Sequence, residues 1–509
     1  MKGLTYNMKK KNIIFTTFLS TVSLATSILV FFKNSNIVRS SVLAENPECA
    51  YHHGYHYQAK SPTIDETGHQ EFWACCTCGH QYLEQPDGSF TDRDDSLMTG
   101  SITSTHVAYL PPLTKGGSNG DYWSNDLIDD TAKIKKTRVI VMAGQSNAAG
   151  VGRYEYLASS VTSDKLTEIN NGYQNVLMTG FCHGDLPNYT PVSANETSST
   201  VGITGTYGFE IGLAERLSKT FPDETIYLVK YAFGATSLNY DWISPSVRNS
   251  TAIDGTYDSN RSRGWLFDGM CDAIERTVNH IEETTDTEAS IEAFMWMQGE
   301  NDAAFETATS LYPKTFEAFV TDFKSIFSSH LSDKFAIYDA GIAISGQWPN
   351  AVQMNNYKSS RADENNIYID TNAVLTTEYE PAGSDVDVAH YDATCNIELG
   401  HLFADAYLER VISNYSHNVL EIQAPNKIAM TNGVNYIVTS PTVTFNGQPV
   451  NAKITYYAKQ HKISENNIVS YFTVNGSTFT PTSTGNSSLR IAAYYNDEVR
   501  TVVVPVEIK

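Results

Sequence analysis

Between about residues 137 and 412, apolar runs of strand length alternate with stretches in which apolar residues recur every three or four positions. The runs Val139–Ala143, Thr225–Lys230, Ile291–Trp296, Phe335–Ala340 and Asn366–Asp370 predict strands. Near-continuous apolarity of this kind marks a strand buried on both faces, as in the interior of a parallel sheet. Gly208–Lys219, Met270–Glu283, Leu311–His330 and Ile397–Ile412 carry the helical period and predict amphipathic helices. Strand and helix in alternation predict a three-layer α/β fold, with helices covering both faces of a parallel sheet.

The pattern changes on either side of that region. Beyond about residue 418 the chain has short β-rich runs and turn signals. Ile454–Tyr457, Ile491–Tyr495 and Thr501–Ile508 predict strands, and Asn446-Gly447 and Asn475-Gly476 predict hairpin turns. Residues 418–509 therefore fit an immunoglobulin-like β-sandwich. Residues 84–136 are polar and rich in Gly, Ser, Thr and Asp, which predicts a linker with little regular structure. At the start, Lys9-Lys10-Lys11 precedes an apolar run from Ile13 to Phe32, and Val42-Leu43-Ala44 offers short side chains at a cleavage position. This is the pattern of a secretory signal over residues 1–44. The other reading is an uncleaved single-span anchor, since about 20 residues cross a bilayer. Either way the remainder is expected outside the cytoplasm, secreted or at the cell surface.

Seven cysteines in an exported chain of 509 residues do not make a disulfide scaffold. Four of them (Cys49, Cys75, Cys76 and Cys78) fall within residues 45–83. Cys49-x-x-His52 followed by Cys75-x-x-Cys78 has the spacing of a tetrahedral zinc site, two ligands to each knuckle. The stretch Trp73-Ala74-Cys75-Cys76-Thr77-Cys78-Gly79 resembles a small zinc-ribbon-like repeat of bacterial surface proteins. One or two disulfides are the alternative. A closed four-ligand site leaves no open coordination position, so a zinc here is expected to be structural.

Charge narrows the partners. Lys and Arg number 35 against 57 Asp and Glu, a net charge of −22. The first 44 residues hold six of those bases and no acid, so without them the balance is 29 against 57, or −28. Such a surface repels phosphate backbones, which argues against nucleic acid as a partner. It does not name a substrate.

In an open parallel sheet, ligands bind past the carboxyl ends of the strands. The first predicted strand runs into Gly144-Gln145-Ser146-Asn147-Ala148-Ala149-Gly150, where a serine between small residues can present its hydroxyl to solvent. On its own Ser146 reads more readily as a helix N-cap, as most serines in such turns do. The second predicted strand ends in Ala232-Phe233-Gly234-Ala235, where glycine lets its backbone N–H approach a ligand. The third ends in the polar cluster Gln298-Gly299-Glu300-Asn301-Asp302. Asp387-Val388-Ala389-His390 lies just before the last helix, and an Asp three residues before a His can hold the imidazole Nδ1–H. His183 reads as a surface histidine or a pocket lining, and His401 as a packed core histidine.

Taken together, Gly144-Gln145-Ser146-Asn147, Gln298-Gly299-Glu300 with Asp302, and Asp387-x-x-His390 resemble the carbohydrate-esterase branch of the SGNH hydrolases, the sialate O-acetylesterases and acetylxylan-esterase-like proteins. Gly208-Phe209-Glu210-Ile211-Gly212 also resembles a family segment, with Phe209 where Pro is common. The resemblance spans residues 137–412 and implies a flavodoxin-like three-layer sheet. It implies Ser146 as nucleophile, His390 as general base and acid, and Asp387 as its orienter. It implies an oxyanion hole built from the Ser146 and Gly234 N–H groups and one side-chain amide, Gln298 or Asn301. Gln145, Asn147, Glu300 and Asp302 would support the site. No cofactor is expected for catalysis, only the structural zinc.

The expected function is removal of acetyl groups from O-acetylated carbohydrate, sialic acid or another glycan. The alternatives are an acetylxylan or other ester hydrolase, and a non-catalytic glycan-binding or adhesion protein. The C-terminal region resembles bacterial immunoglobulin-like modules through Phe479-Thr480-Pro481-Thr482-Ser483-Thr484-Gly485. Such accessory modules are expected to act as spacers or to hold the enzyme near cell-surface or host glycans.

Overall fold

The computed structural model describes residues 135–195, 204–252, 257–382, 385–464 and 467–509, together with five short strands nearer the N-terminus. The chain divides into two compact units, Met1–Ala132 and Lys133–Lys509. In the first, Ile37–Ser40, Gly54–Tyr57, Phe72–Cys75, Gln81–Glu84 and Phe90–Asp92 form an antiparallel sheet in chain order. Two of these strands fall in segments read from the sequence as leader and linker; pairing with a neighbour satisfies their backbone groups. The zinc-site reading lies outside the described residues. Among the described residues no helix is long and apolar enough to cross a membrane.

The second unit is built on a seven-stranded sheet. Its strands are β1 (Lys136–Gly144), β2 (Tyr173–Cys182), β3 (Thr190–Val192), β4 (Ile226–Ala232), β5 (Glu288–Met297), β6 (Leu331–Ala340) and β7 (Asn366–Ile369). Their spatial order is β7-β6-β5-β1-β4-β2-β3. All pairings are parallel except that of β3 with β2. The α/β expectation therefore holds, with β2 and β3 added to the five predicted strands.

Nine helices are needed to follow the chain. They are α1 (Ser146–Ala149), α2 (Tyr154–Ser160), α3 (Ser163–Asn171), α4 (Glu210–Thr220), α5 (Trp265–Thr284), α6 (Glu300–Ala303), α7 (Glu306–Ile326), α8 (Ala351–Ser360) and α9 (Ala393–Val411). Successive residues of a strand point to opposite faces. On β4, Lys230 meets Glu210 of α4, while the tyrosine after it lies against Gly269 of α5. Helices α4 and α9 thus cover one face and α5 the other. On the α5 side, Phe294 and Trp296 of β5 pack with Phe316 and Phe319 of α7. Each such buried aromatic contributes on the order of 2 kcal/mol.

Residues after α9 are strand-rich, with no helix among those described. The longest strands, Lys453–Ala458, Gly485–Tyr495 and Glu498–Ile508, belong to a four-stranded sheet with Ile428–Met430. This sheet has its own core around Phe472, Phe479, Leu489 and Ile491. It shares one compact unit with the α/β layers.

Candidate active site

Strand β1 lies at the centre of the sheet, between β4 and β5, where the chain switches from one side of β1 to the other. Such a switch point opens a crevice at the carboxyl ends. Gly144 pairs in register with Ala232 of β4 and with Met297 of β5, so three strand ends stop at one level. The Gln145 N–H donates to Met297 O at 3.0 Å and the Phe233 N–H to Gly144 O at 3.1 Å. Gly144 has φ +145°, and a Cβ there would stand 1.9 Å from Met297 O. Only glycine allows this close approach, and it turns the chain straight into α1 with Ser146 at its first position.

Support for this turn comes from below. Lys230 is fully buried, and its Nζ donates to Ala149 O at 2.6 Å and to Glu210 Oε2 at 2.9 Å. The Gly208 N–H donates to Glu210 Oε1 at 2.9 Å. The Gly208–Gly212 segment thus ties the end of α1 to β4.

Above the strand ends is a cavity of about 440 Å³ lined by Gln145, Ser146, Gly234, Asn301 and His390, with Trp348 and His183 at its sides. Asp387 sits behind His390: its Oδ2 lies 3.0 Å from His390 Nδ1, and its Oδ1 accepts from the backbone N–H groups of Ala389 and His390. Burial pushes the Asp387 carboxyl up, but the hydrogen bonds and charge of His390 outweigh it, and the group is held below the ordinary range. Asp387 therefore stays ionised against the imidazole.

The remaining predicted residues separate by depth. Gln298 is fully buried, and its Nε2 donates to Asp302 Oδ2 at 2.6 Å and to Thr236 O at 3.0 Å. Asp302 accepts from the Leu238 N–H, which clamps the loop after β4 to the loop after β5. Burial pushes the Asp302 carboxyl up to about 7. Gln145 Oε1 accepts from the Asn301 N–H at 3.2 Å. Asn147 spans two loops: its Nδ2 donates to Glu300 Oε1 at 2.8 Å and Ala389 O at 3.1 Å, while its Oδ1 accepts from the Tyr391 N–H. The buried Glu300 carboxyl is raised by desolvation. Asn147, Glu300 and Asp302 thus lie beneath the cavity and brace its loops, while Gln145 both lines it and holds the Asn301 backbone.

His183 both faces solvent and lines the cavity. It has φ +56°, stacks on Phe233 with ring centroids 4.1 Å apart, and its Nε2 accepts from the Gly234 N–H at 3.0 Å. Burial, then the charges of Arg261 and Lys230, hold it below the ordinary histidine range, as this acceptor role requires. Trp348 was not singled out from the sequence. Its place in the loop after β6, at the carboxyl edge of the sheet, was the one signal available for it. His401 is a core histidine, its Nε2 3.0 Å from Glu215 Oε2. Cys182, Cys271 and Cys395 are free thiols, raised by burial.

A central, mostly parallel sheet with helices packed on its two faces fits a hydrolase fold. The particular family follows from comparison. The family model described as SASA, carbohydrate esterase, sialic acid-specific acetylesterase, matches residues 136–409, and the chain belongs to that family. It is an ester hydrolase, an acetylesterase acting on carbohydrate. No curated protein matches the chain. Among solved structures it is similar to a protein from Arabidopsis thaliana (17% identity, covering 54% of this chain and 99% of that one, TM-score 0.39). It is also similar to a carbohydrate acetylesterase from Xanthomonas citri (13%, 73% and 79%, TM-score 0.37). A third is a variant of an acetyl xylan esterase from Geobacillus stearothermophilus (14%, 56% and 100%, TM-score 0.26).

Proposed function

We propose that this protein is a secreted serine O-acetylesterase that deacetylates sialoglycans by a Ser-His-Asp mechanism. The observation that carries the reading is the single cavity lined by Ser146, His390, Gly234 and Asn301, with Asp387 on the far nitrogen of His390. His390 takes the Ser146 proton as the alkoxide attacks the acetyl carbonyl, forming the acetyl-enzyme and releasing the sugar hydroxyl. Water, deprotonated by His390, then releases acetate. The Ser146 and Gly234 N–H groups and the Asn301 side chain bind the developing oxyanion, each donor worth roughly 3 kcal/mol. Asn301 takes this role because it lines the cavity, whereas the Gln298 amide donates beneath it. His183 holds the Gly234 N–H until the acyl oxygen displaces it.

The leader over residues 1–44 exports the enzyme to glycans outside the cell, Cys49, His52, Cys75 and Cys78 hold a structural zinc, and residues 418–509 form an immunoglobulin-like module. The test of function is acetate release from O-acetylated sialoglycan and from acetylated xylan, by the wild-type protein and by Ser146→Ala. The expected result is faster turnover of the sialoglycan and a loss of roughly 10³-fold or more in S146A. Faster turnover of xylan would move the substrate to plant polysaccharide. Equal rates for the two proteins would remove the serine mechanism.

A further inference from the structure

The C-terminal strands do more than follow the α/β layers. Arg490, in the middle of the strand Gly485–Tyr495, is fully buried. Its neighbours Leu489 and Ile491 belong to the core of the C-terminal sheet, so Arg490 points the other way. There its Nη2 donates to Glu380 Oε1 at 2.5 Å, and its Nη1 is 2.9 Å from Asp392 Oδ2. The guanidinium also lies over the Tyr457 ring, 4.3 Å from its centroid. Taking an arginine wholly out of water is costly unless it is paired, so this contact is a committed one.

Glu380 and Asp392 stand at the two ends of the loop that carries Asp387 and His390. They are joined to each other and to that loop. The Glu380 N–H donates to Asp392 Oδ1 at 3.1 Å, and Glu380 Oε2 accepts from the Ala393 N–H at 2.7 Å, at the first turn of α9. The Glu378 N–H donates to Asp387 O at 3.0 Å, and Glu378 O accepts from the Gln460 N–H at 2.8 Å, again from the C-terminal region. Tyr379 Oη is 2.9 Å from Ser488 Oγ. A second ion pair between the same regions, Arg500 with Glu398 on α9 at 3.1 Å, makes no contact with the loop.

We propose that Arg490 is a positioning residue: by bridging Glu380 and Asp392 it closes the base of the His390 loop, so that the C-terminal strands complete the catalytic apparatus. This rests on the reading of His390 as general base, and it replaces the spacer role expected for the C-terminal module. Displacing a general base by about 1 Å from a distance costs up to roughly 100-fold in rate.

The experiment uses the full chain with 4-nitrophenyl acetate and compares Arg490→Met, Arg490→Lys and Arg500→Met, with far-UV circular dichroism to confirm folding. The expected result is a loss of roughly 10- to 100-fold in kcat for R490M with KM within about twofold, a smaller loss for R490K, and R500M within about twofold of wild type. The limb of the pH profile of kcat/KM that reports His390 is expected to move in R490M and to stay in place in R500M. Folded R490M at the wild-type kcat, or an equal loss in R500M, would overturn the proposal. If R490M does not fold, R490K decides: a lowered kcat at unchanged KM supports the bridge, and a wild-type kcat overturns it. S146A run beside them separates the two ideas, because a wild-type rate there would sink the serine mechanism while the R490–R500 comparison still reads the role of the bridge.

Discussion

The two loops that meet in the cavity are held in different ways. The Ser146 turn is fixed by its own strand: β1 is paired on both sides, Gly144 meets β4 and β5 in register, and Gln145 is tied to Met297 O. The His390 loop lies outside the seven-stranded sheet. Its support is borrowed, from Asn147 beside the serine on one side and from Arg490 some hundred residues later on the other. A nucleophile that rides on a strand end needs little help, whereas a general base on a loop needs side chains from elsewhere to hold its angle.

That contrast can be broken at Asn147, where the largest effect is expected. Asn147→Ala removes the link between the two loops while leaving Ser146 on its strand. It also leaves the Tyr391 N–H and the Glu300 carboxylate short of a partner, a cost of about 1–3 kcal/mol. The expected outcome is a fall of roughly 10- to 100-fold in kcat with a modest drop in stability, read by steady-state kinetics and urea unfolding. An unchanged kcat would mean that the His390 loop holds itself.

The serine side has its own pH signature. The Asp302 carboxyl is raised by burial to about 7 in the folded protein, above its ordinary value of 3.8. The folded state therefore binds this proton more tightly than the unfolded chain does, and the contribution to stability falls as pH rises from about 4 to about 7. Asp302→Asn is expected to flatten that fall. Melting temperatures of the two proteins across this range measure it, and parallel curves would contradict the assignment. The smallest effect is expected at His183. His183→Ala frees the Gly234 N–H from a competing acceptor, and kcat/KM is expected to rise by no more than about fivefold. A large loss would instead make His183 a contact to substrate.

The sequence was most legible where the physics is local. Continuous apolar runs marked β1, β5 and β6, which are buried on both faces. Strand β2 was hidden because Gln174, Asn175, Thr179 and Gly180 interrupt its run; Asn175 is satisfied by Phe221 O and Glu224 O rather than by solvent. Helix α8 escaped the helical pattern because it buries Lys358 against Asp339 at 2.5 Å instead of an apolar side chain. The hairpin at Asn496-Asp497 turns with two left-handed residues and no glycine, so it gave no turn signal. In the site, Ser146, Asp387 and His390 were readable from short motifs. Two amides of one turn, Gln298 and Asn301, look alike in sequence; in the fold the Gln298 side chain is fully buried and Asn301 lines the cavity. Arg490 was invisible, because nothing in a strand of the C-terminal region says which loop it will meet.

The central claim is that Ser146 carries the acetyl group between sugar and water. Acid quenching during turnover of 4-nitrophenyl acetate, followed by peptide mass spectrometry, tests it most directly. An acetyl adduct on Ser146 in the wild-type protein, absent from S146A, is the predicted result. Continued acetate release with Ser146 unmodified at every time point, and an undiminished rate in S146A, would contradict it.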